Sequence, residues 1–326
     1  MPERLARRCL LALALLLPAA QASAQLEPGR PVSFVVPAAA GGPTDVLARI
    51  LADAMAKPLG HSIIVENVPG AGGTIGITRV ARAAPDGLTV LVHGLNVATT
   101  AAFMRTLPYD TETALDPIGL VGYGPYVWLT RRDYGAADPA ALFARMRAEG
   151  GKLTIAHGGV GALAHLCGLL LAQALDISPV MVPYRGSGPA MNDLIAGHVD
   201  MLCALSSDAV PQVRAGQVRA IATTASRRIE QLPDVPTFAE AGMKGLELVY
   251  WNALWARGGT PAATRAQLGA ALDTALSEPA VVARLHDLGI EVYPPGERSA
   301  AALDAAMKAE LARWREVART SNLVLE

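Results

Sequence analysis

Short apolar runs alternate with longer amphipathic segments along most of the chain, and glycine-bearing turns separate them. Pro31–Pro37 (PVSFVVP) reads as a strand, rich in β-branched and aromatic residues. After a Gly-Gly turn the spacing predicts a helix over about Pro43–Lys57. Pro43 suits its first turn, and Thr44 and Asp45 place oxygens near its unpaired amides. Ser62–Glu66 predicts the next strand, Thr74–Ala83 the next helix and Leu88–His93 a third strand, with Pro85-Asp86-Gly87 a strong turn between them. A second series follows Gly122, with strands at Tyr126–Thr130, Leu153–His157, Pro179–Pro183, Val199–Cys203 and Val218–Thr224. Helices are expected at Pro139–Ala148, Ala162–Leu175, Pro189–Ala196 and about Asp208–Ala215. A strand near Leu246–Ala256 then leads into helices at about Pro261–Ser277, Pro279–Leu288 and Glu297–Thr320. Strand–loop–helix units with short connections imply mostly parallel sheets flanked by helices. We read two such α/β lobes, joined by strands, with the C-terminal helices returning to the first lobe.

The N-terminus departs from this pattern. Arg4, Arg7 and Arg8 precede an apolar run from Cys9 to Leu17, and Ala22-Ser23-Ala24 stands before Gln25. That is the layout of an export signal, with a run too short to span a bilayer. The expected mature chain starts near Gln25, is exported to the periplasm and carries no membrane anchor. Cys167 and Cys203 then remain. An oxidising compartment permits a bridge between them, and two separate buried thiols are equally compatible with the sequence.

Hydrophobic residues make up 52% of the 326 residues and charged residues 17%. This is apolar mass enough for a sizeable core, so a disordered chain is excluded. Lys+Arg and Asp+Glu number 28 and 29, a net charge of −1, and this balance argues against a general nucleic-acid or anionic-membrane binder.

Three glycine loops carry the main chemical signal: Ala38–Asp45 (AAAGGPTD), Asn67–Thr74 (NVPGAGGT) and Gly158–Ala162 (GGVGA). In each, a strand ends, glycines follow and a helix begins. Glycine lets a ligand approach main-chain amides, and a helix start directs unpaired N–H groups and partial positive charge to the same point. Such loops hold anions without Lys or Arg. Ile75 stands where a dinucleotide fingerprint needs its third glycine, and no phosphate-loop lysine pattern occurs. A carboxylate is therefore the expected anion. Catalytic signals are thin: there is no nucleophile elbow at Gly186-Ser187-Gly188 and no zinc-protease helix. His93 and His157 end strands beside the loops, and His165 and Cys167 sit two residues apart on one helix and so point away from each other.

At these loops the chain resembles the periplasmic solute-binding proteins of tripartite tricarboxylate transporters, also called Bug proteins. The resemblance runs in order through PAAAGGPTDVLAR (Pro37–Arg49), ENVPGAGGTIG (Glu66–Gly76), VARAAPDGLT (Val80–Thr89) and AHLCGLLL (Ala164–Leu171). It continues through VPYRGSGPAMNDLIAGHVD (Val182–Asp200), PQVRAGQVRAIATT (Pro211–Thr224), LPDVPTFAEAG (Leu232–Gly242) and GTPAA (Gly259–Ala263). It implies a two-lobed, type II-like periplasmic binding fold with the ligand in the cleft between lobes. Residues 25–123 and 252–326 would form the first lobe, 124–251 the second, and 1–24 the signal.

The implied ligand-binding set in the first lobe is Ala40, Gly41, Gly42, Pro43, Thr44, Asp45, Asn67, Gly70, Ala71, Gly72, Gly73, His93 and Asn96. In the second it is His157, Gly159, Val160, Gly161, Ala162, Ser206 and Asp208. No metal or cofactor is implied. The expected partners are a small carboxylate and the permease subunits of the transporter, with the binding protein itself a monomer that closes about a hinge. Pro183–Gly186 matches a family hallmark, which we assign mainly to structure. Relatives commonly carry an aromatic where Ala38 stands, an acid or amide near Ala204 and Leu205, and Gly-Ser character where Val160 and Ala162 stand. These departures suggest a roomier, less polar cleft suited to a carboxylate with an apolar body. A sensor feeding a receptor, or a hydrolase using Cys203 or a cleft histidine, are the alternatives on the same scaffold.

Overall fold

The computed structural model describes residues 26–135 and 139–321; the expected export signal lies outside them. Strand β1 (Val32–Val36) pairs in parallel with β2 (Ile63–Asn67) on one side and β3 (Thr89–Gly94) on the other. Helix α1 (Pro43–Leu59) makes the first crossover, with proline in its first turn and a left-handed Gly60 closing it, whose amide reaches the carbonyls of Ala56 and Lys57. Its buried stripe, Leu47, Ile50, Leu51 and Met55, faces the sheet. Helix α2 (Thr74–Ala81) makes the second crossover. Helix α3 (Asn96–Phe103), which the sequence reading did not anticipate, follows β3 directly.

Strand β4 (Leu115–Arg131) is 17 residues long and belongs to both halves of the molecule. From Leu115 to Pro125 it pairs antiparallel with β9 (Val249–Arg257), and near Gly122 with the short β10 (Glu291–Val292). From Tyr126 to Arg131 its partners are β7 (Met201–Leu205) and β8 (Val218–Thr223). The sequence reading found only Tyr126–Thr130 because Pro117, Gly119, Gly122, Gly124 and Pro125 punctuate the earlier half. Those glycines serve close approach. A Cβ on Gly122 would stand 2.6 Å from the Glu291 carbonyl, and one on Gly124 would stand 2.7 Å from that of Gly289.

Strands β5 (Thr154–His157) and β6 (Val180–Pro183) extend the second half in parallel with β7. Among the described residues the strand order is β2-β1-β3-β9-β4-β7-β5-β6, with β8 and β10 added on β4. The fold is two-lobed, each lobe a mixed sheet flanked by helices. At the crossover Thr224 ties three segments together. It exchanges backbone hydrogen bonds with Tyr126 (2.9 Å) and Leu248 (3.0 Å). Its hydroxyl oxygen also accepts from the Tyr126 amide at 2.8 Å.

The remaining helices cover the sheets: α4 (Pro139–Glu149), α5 (Leu163–Leu175), α6 (Ser187–Ala196) and α7 (Ser206–Arg214) on the second lobe, then α8 (Ala262–Ala275), α9 (Pro279–Asp287) and α10 (Ala300–Ser321). The last of these returns to the first lobe, where Trp314 packs 6.0 Å from Phe103 of α3. One apolar cluster runs through the crossover, from Val35 and Leu91 past Tyr126 and Trp128 to Ile155 and Leu166. Cys167 of α5 and Cys203 of β7 are joined by a disulfide, which decides between the two states the sequence left open. Both cysteines are buried. No helix among the described residues is long and apolar enough to cross a membrane.

Candidate functional site

Helices start where strands end on the cleft side of both lobes: α1 after β1, α3 after β3, α5 after β5 and α6 after β6. Fifteen residues from the two lobes enclose a cavity of about 70 Å³ there: Pro37, Ala38, Pro43, Thr44, Gly72, His93, Asn96, Tyr126, Gly158, Ala162, Ala164, Gly186, Ser187, Leu205 and Tyr250. None of them carries a formal charge. The lobes are shut against each other around it. A Cβ on Gly72 would lie 2.5 Å from the Val160 carbonyl, and one on Gly186 would lie 3.1 Å from the Ala39 amide nitrogen. The Asn96 side-chain oxygen accepts a hydrogen bond across the gap from the Leu163 amide at 3.0 Å. Larger cavities of about 260, 400 and 250 Å³ lie elsewhere, and among the described residues only the last has an unpaired buried polar side chain, Thr223, on its wall.

The first loop folds on itself before it meets a ligand. The Gly41 amide donates to the Asp45 carboxylate at 2.8 Å. The Gly42 amide donates to Ala39, and the helical ladder opens with Val46 donating to Gly42 at 3.0 Å. Pro43 has no N–H, so the amides of Thr44 and Asp45 are the free donors at this helix start. Asp45 also accepts from Arg49 (3.0 Å) and Asn67 (3.0 Å). Burial raises its pKa, but the bonds from Arg49, the Gly41 amide and Asn67 outweigh that and hold it below the usual value. Asp45 thus fixes the loop as a charged strut, and its carboxylate faces its own neighbours.

The second-lobe loop is held by two histidines. The rings of His157 and His165 stack with centroids 4.3 Å apart. His157 Nδ1 lies 2.9 Å from the Gly159 carbonyl, and His165 Nδ1 accepts from the Gly161 amide at 3.4 Å. Burial lowers both pKa values, that of His165 to about 4 with help from His157. Their spacing on the sequence gave no hint of this pairing across strand and helix.

His93 differs from them. It is 3% exposed, lines the cavity and has neither ring nitrogen paired, and burial lowers its pKa to about 4. Tyr250 accepts from the Gly94 amide at 3.1 Å, which leaves its own hydroxyl hydrogen free to be donated. Burial raises the pKa of both Tyr126 and Tyr250, so both phenols stay protonated. Behind Ser187 stands Asp208, with one carboxylate oxygen sealed from solvent and unpaired. Burial pushes the Asp208 pKa up to about 6 against the opposing pull of the Ser187 hydroxyl.

Of the residues expected from sequence, Pro43, Thr44, Gly72, His93, Asn96 and Ala162 line the cavity together. Ala40, Gly41 and Ala71 are exposed at its rim. Gly42 closes on Ala39, and Gly70 and Gly73 shape the second loop, with the Gly73 amide bonded to Gly70 at 2.9 Å. Asn67 stitches Asp45 to the Ala38 carbonyl. Gly159, Val160 and Gly161 form the opposing loop with His157. Ser206 turns away, donating to the Gly289 carbonyl at 2.7 Å, and Asp208 is not among the residues that line the cavity.

Tyr126, Tyr250, Ser187 and Gly186 were not in the sequence-derived set. Gly186-Ser187 was visible as another glycine turn before a helix, whereas the tyrosines meet only through strand register. Ala38 and Ala162, two of the small residues noted in the sequence, lie on the wall of this cavity. Cys203, the nucleophile of the hydrolase alternative, is bonded to Cys167.

The sequence pattern described as tripartite tricarboxylate transporter family receptor (TctC) matches residues 47–323. A UPF0065 protein from the TAR-I ttuE-ttuC' intergenic region of Agrobacterium vitis is 42% identical over 290 residues, covering 89% of this chain and 84% of that protein. The structure of the periplasmic binding protein BugD superposes with a TM-score of 0.89 at 38% identity, covering 92% of this chain and all of BugD (100%). MatC from Rhodopseudomonas palustris, solved with bound malate, gives 0.86 at 39% identity, covering 89% of this chain and 99% of MatC.

Proposed function

The chain belongs to the tripartite tricarboxylate transporter receptor family, and we propose that its cleft captures a small organic carboxylate and hands it to the permease of such a transporter. It is the solute-binding component of that class of transporter. The observation that carries the carboxylate reading is the uncharged cavity at which helix starts from both lobes converge, with Thr44 and Asp45 leaving amides unpaired. Amides at a helix start attract an anion without a buried counter-charge, each terminus contributing roughly 0.3–2 kcal/mol. MatC with its malate supports the same chemistry.

The lobes we assign are 25–123 with 252–326, and 124–251. A ligand touching both lobes only when they are shut stabilises the shut form, and the Asn96–Leu163 bond across the gap adds to it. The mature protein works in the periplasm as a monomer after losing a signal near Ala24; intact-mass measurement of the exported protein finding residues 1–24 still attached would refute that processing. It binds and releases its ligand unchanged.

The test is a thermal-shift panel of mono-, di- and tricarboxylates against their neutral amides, followed by incubation with each hit to look for turnover. Stabilisation by acids and not by amides, with the ligand recovered intact, is expected. Equal stabilisation by the amides, or a consumed ligand, would refute the reading.

A further inference from the structure

The cleft is asymmetric in its chemistry, and the asymmetry names a narrower ligand class. On the first-lobe side it offers donors. These are the Thr44 amide, the Tyr250 hydroxyl, and the Asn96 side-chain NH₂, whose oxygen is already taken by Leu163. On the other side stands Ser187, whose hydroxyl can donate or accept. Between them sits His93, 3% exposed and with both nitrogens unpaired. A neutral imidazole offers one N–H and one lone pair, and a buried one left unpaired is costly. A carboxylate supplies only acceptors, whereas a hydroxyl both donates and accepts and so satisfies either nitrogen as well as the Ser187 hydroxyl. A second carboxylate on this side would find no Lys or Arg among the lining residues to balance its charge.

We propose that the cleft selects a short monocarboxylate bearing a hydroxyl over di- and tricarboxylates, with the carboxylate at the Thr44 helix start and the hydroxyl at His93 and Ser187. A cavity of about 70 Å³ matches an acid of about three or four carbons. The proposal rests on the carboxylate reading above and narrows it.

Calorimetric titration of the full chain, freed of carried-over ligand by unfolding and refolding, tests it with lactate, glycerate, propionate, succinate, malate and lactamide. Lactate or glycerate should bind about tenfold or more tighter than propionate, and about tenfold or more tighter than succinate and malate. His93→Phe should bring the lactate-to-propionate ratio close to one. Malate or succinate binding as well as lactate, or an unchanged lactate-to-propionate ratio in His93→Phe, would overturn the proposal while leaving carboxylate capture intact. Lactamide binding as well as lactate would overturn the carboxylate reading too. If none of the six binds while the broader panel yields a carboxylate, the narrowing fails and the parent reading stands.

Discussion

The disulfide between Cys167 and Cys203 closes a loop with a sequence separation of 36 that contains most of α5, all of β6 and α6, and the start of β7. Breaking it frees the unfolded chain without removing native packing. The loop-entropy relation for that separation gives about 4 kcal/mol at 25 °C, a large share of the 5–15 kcal/mol that holds a typical domain together. Cys167 is 4% exposed and Cys203 is fully buried, so a reductant added to the folded protein should leave the bond intact. The experiment is urea unfolding followed by tryptophan fluorescence on three samples: oxidised protein, protein reduced in urea and refolded with reductant, and the Cys167→Ala/Cys203→Ala variant. Trp128 reports the second lobe, while Trp251, Trp255 and Trp314 report the other side of the crossover. Both the reduced protein and the variant should lose about 3–4 kcal/mol, with the Trp128 signal moving first. If both unfold within about 1 kcal/mol of the oxidised protein, the bond does not constrain the unfolded state and the argument is wrong.

Gly72→Ala should wedge the lobes apart, since its Cβ would lie 2.5 Å from the Val160 carbonyl at a φ of +64°. We expect at least about a tenfold loss of ligand affinity and a larger radius of gyration in solution scattering. Gly42→Ala, whose Cβ would approach Ala39 at 3.3 Å with an ordinary φ, should do much less. Asn96→Ala removes the acceptor for the Leu163 amide, so ligand dissociation should quicken severalfold in stopped-flow fluorescence while the melting temperature changes little. His93 has a folded pKa near 4, below the ordinary 6.5, so the unfolded chain binds the proton first. Its contribution is intact above about pH 6.5 and lost as pH falls toward 4, by about 3 kcal/mol in all. His93→Phe should flatten that part of the stability–pH curve, leaving the shallower slope from His157 and His165.

Much of the fold is visible in local patterning. The proline at the start of α1, Gly60 at its end and the alternating runs of β1 to β3 are short-range signals, and the structure places those elements within a few residues of where the patterning puts them. The first half of β4 was hidden because its glycines and prolines look like turn residues. Their purpose is set by Glu291 and Gly289, more than 150 residues away in sequence. The two-residue β10 and the short α3, in which Asn96, Thr99 and Thr100 interrupt the apolar residues, carried no period to read. At the cleft, glycine loops announce themselves because glycine spacing is local. Tyr126 and Tyr250 do not, because a strand residue gains its meaning from register. Asp45 looked like a ligand group, and only the positions of Gly41, Arg49 and Asn67 reveal it as internal bracing.

A strand shared by two sheets ties the two lobes together without a loop at that point. Between the last β9 pair at Pro125 and the first β7 pair at Tyr126, β4 changes allegiance within a single peptide, and Thr224 pins that point to Leu248. There is no slack tether there to let the halves wander or slide. A hinge at that peptide would return the same rims to the same meeting place, Asn96 to Leu163 and Gly72 to Val160. Substitutions along those rims can therefore retune what is gripped while the travel itself stays unchanged.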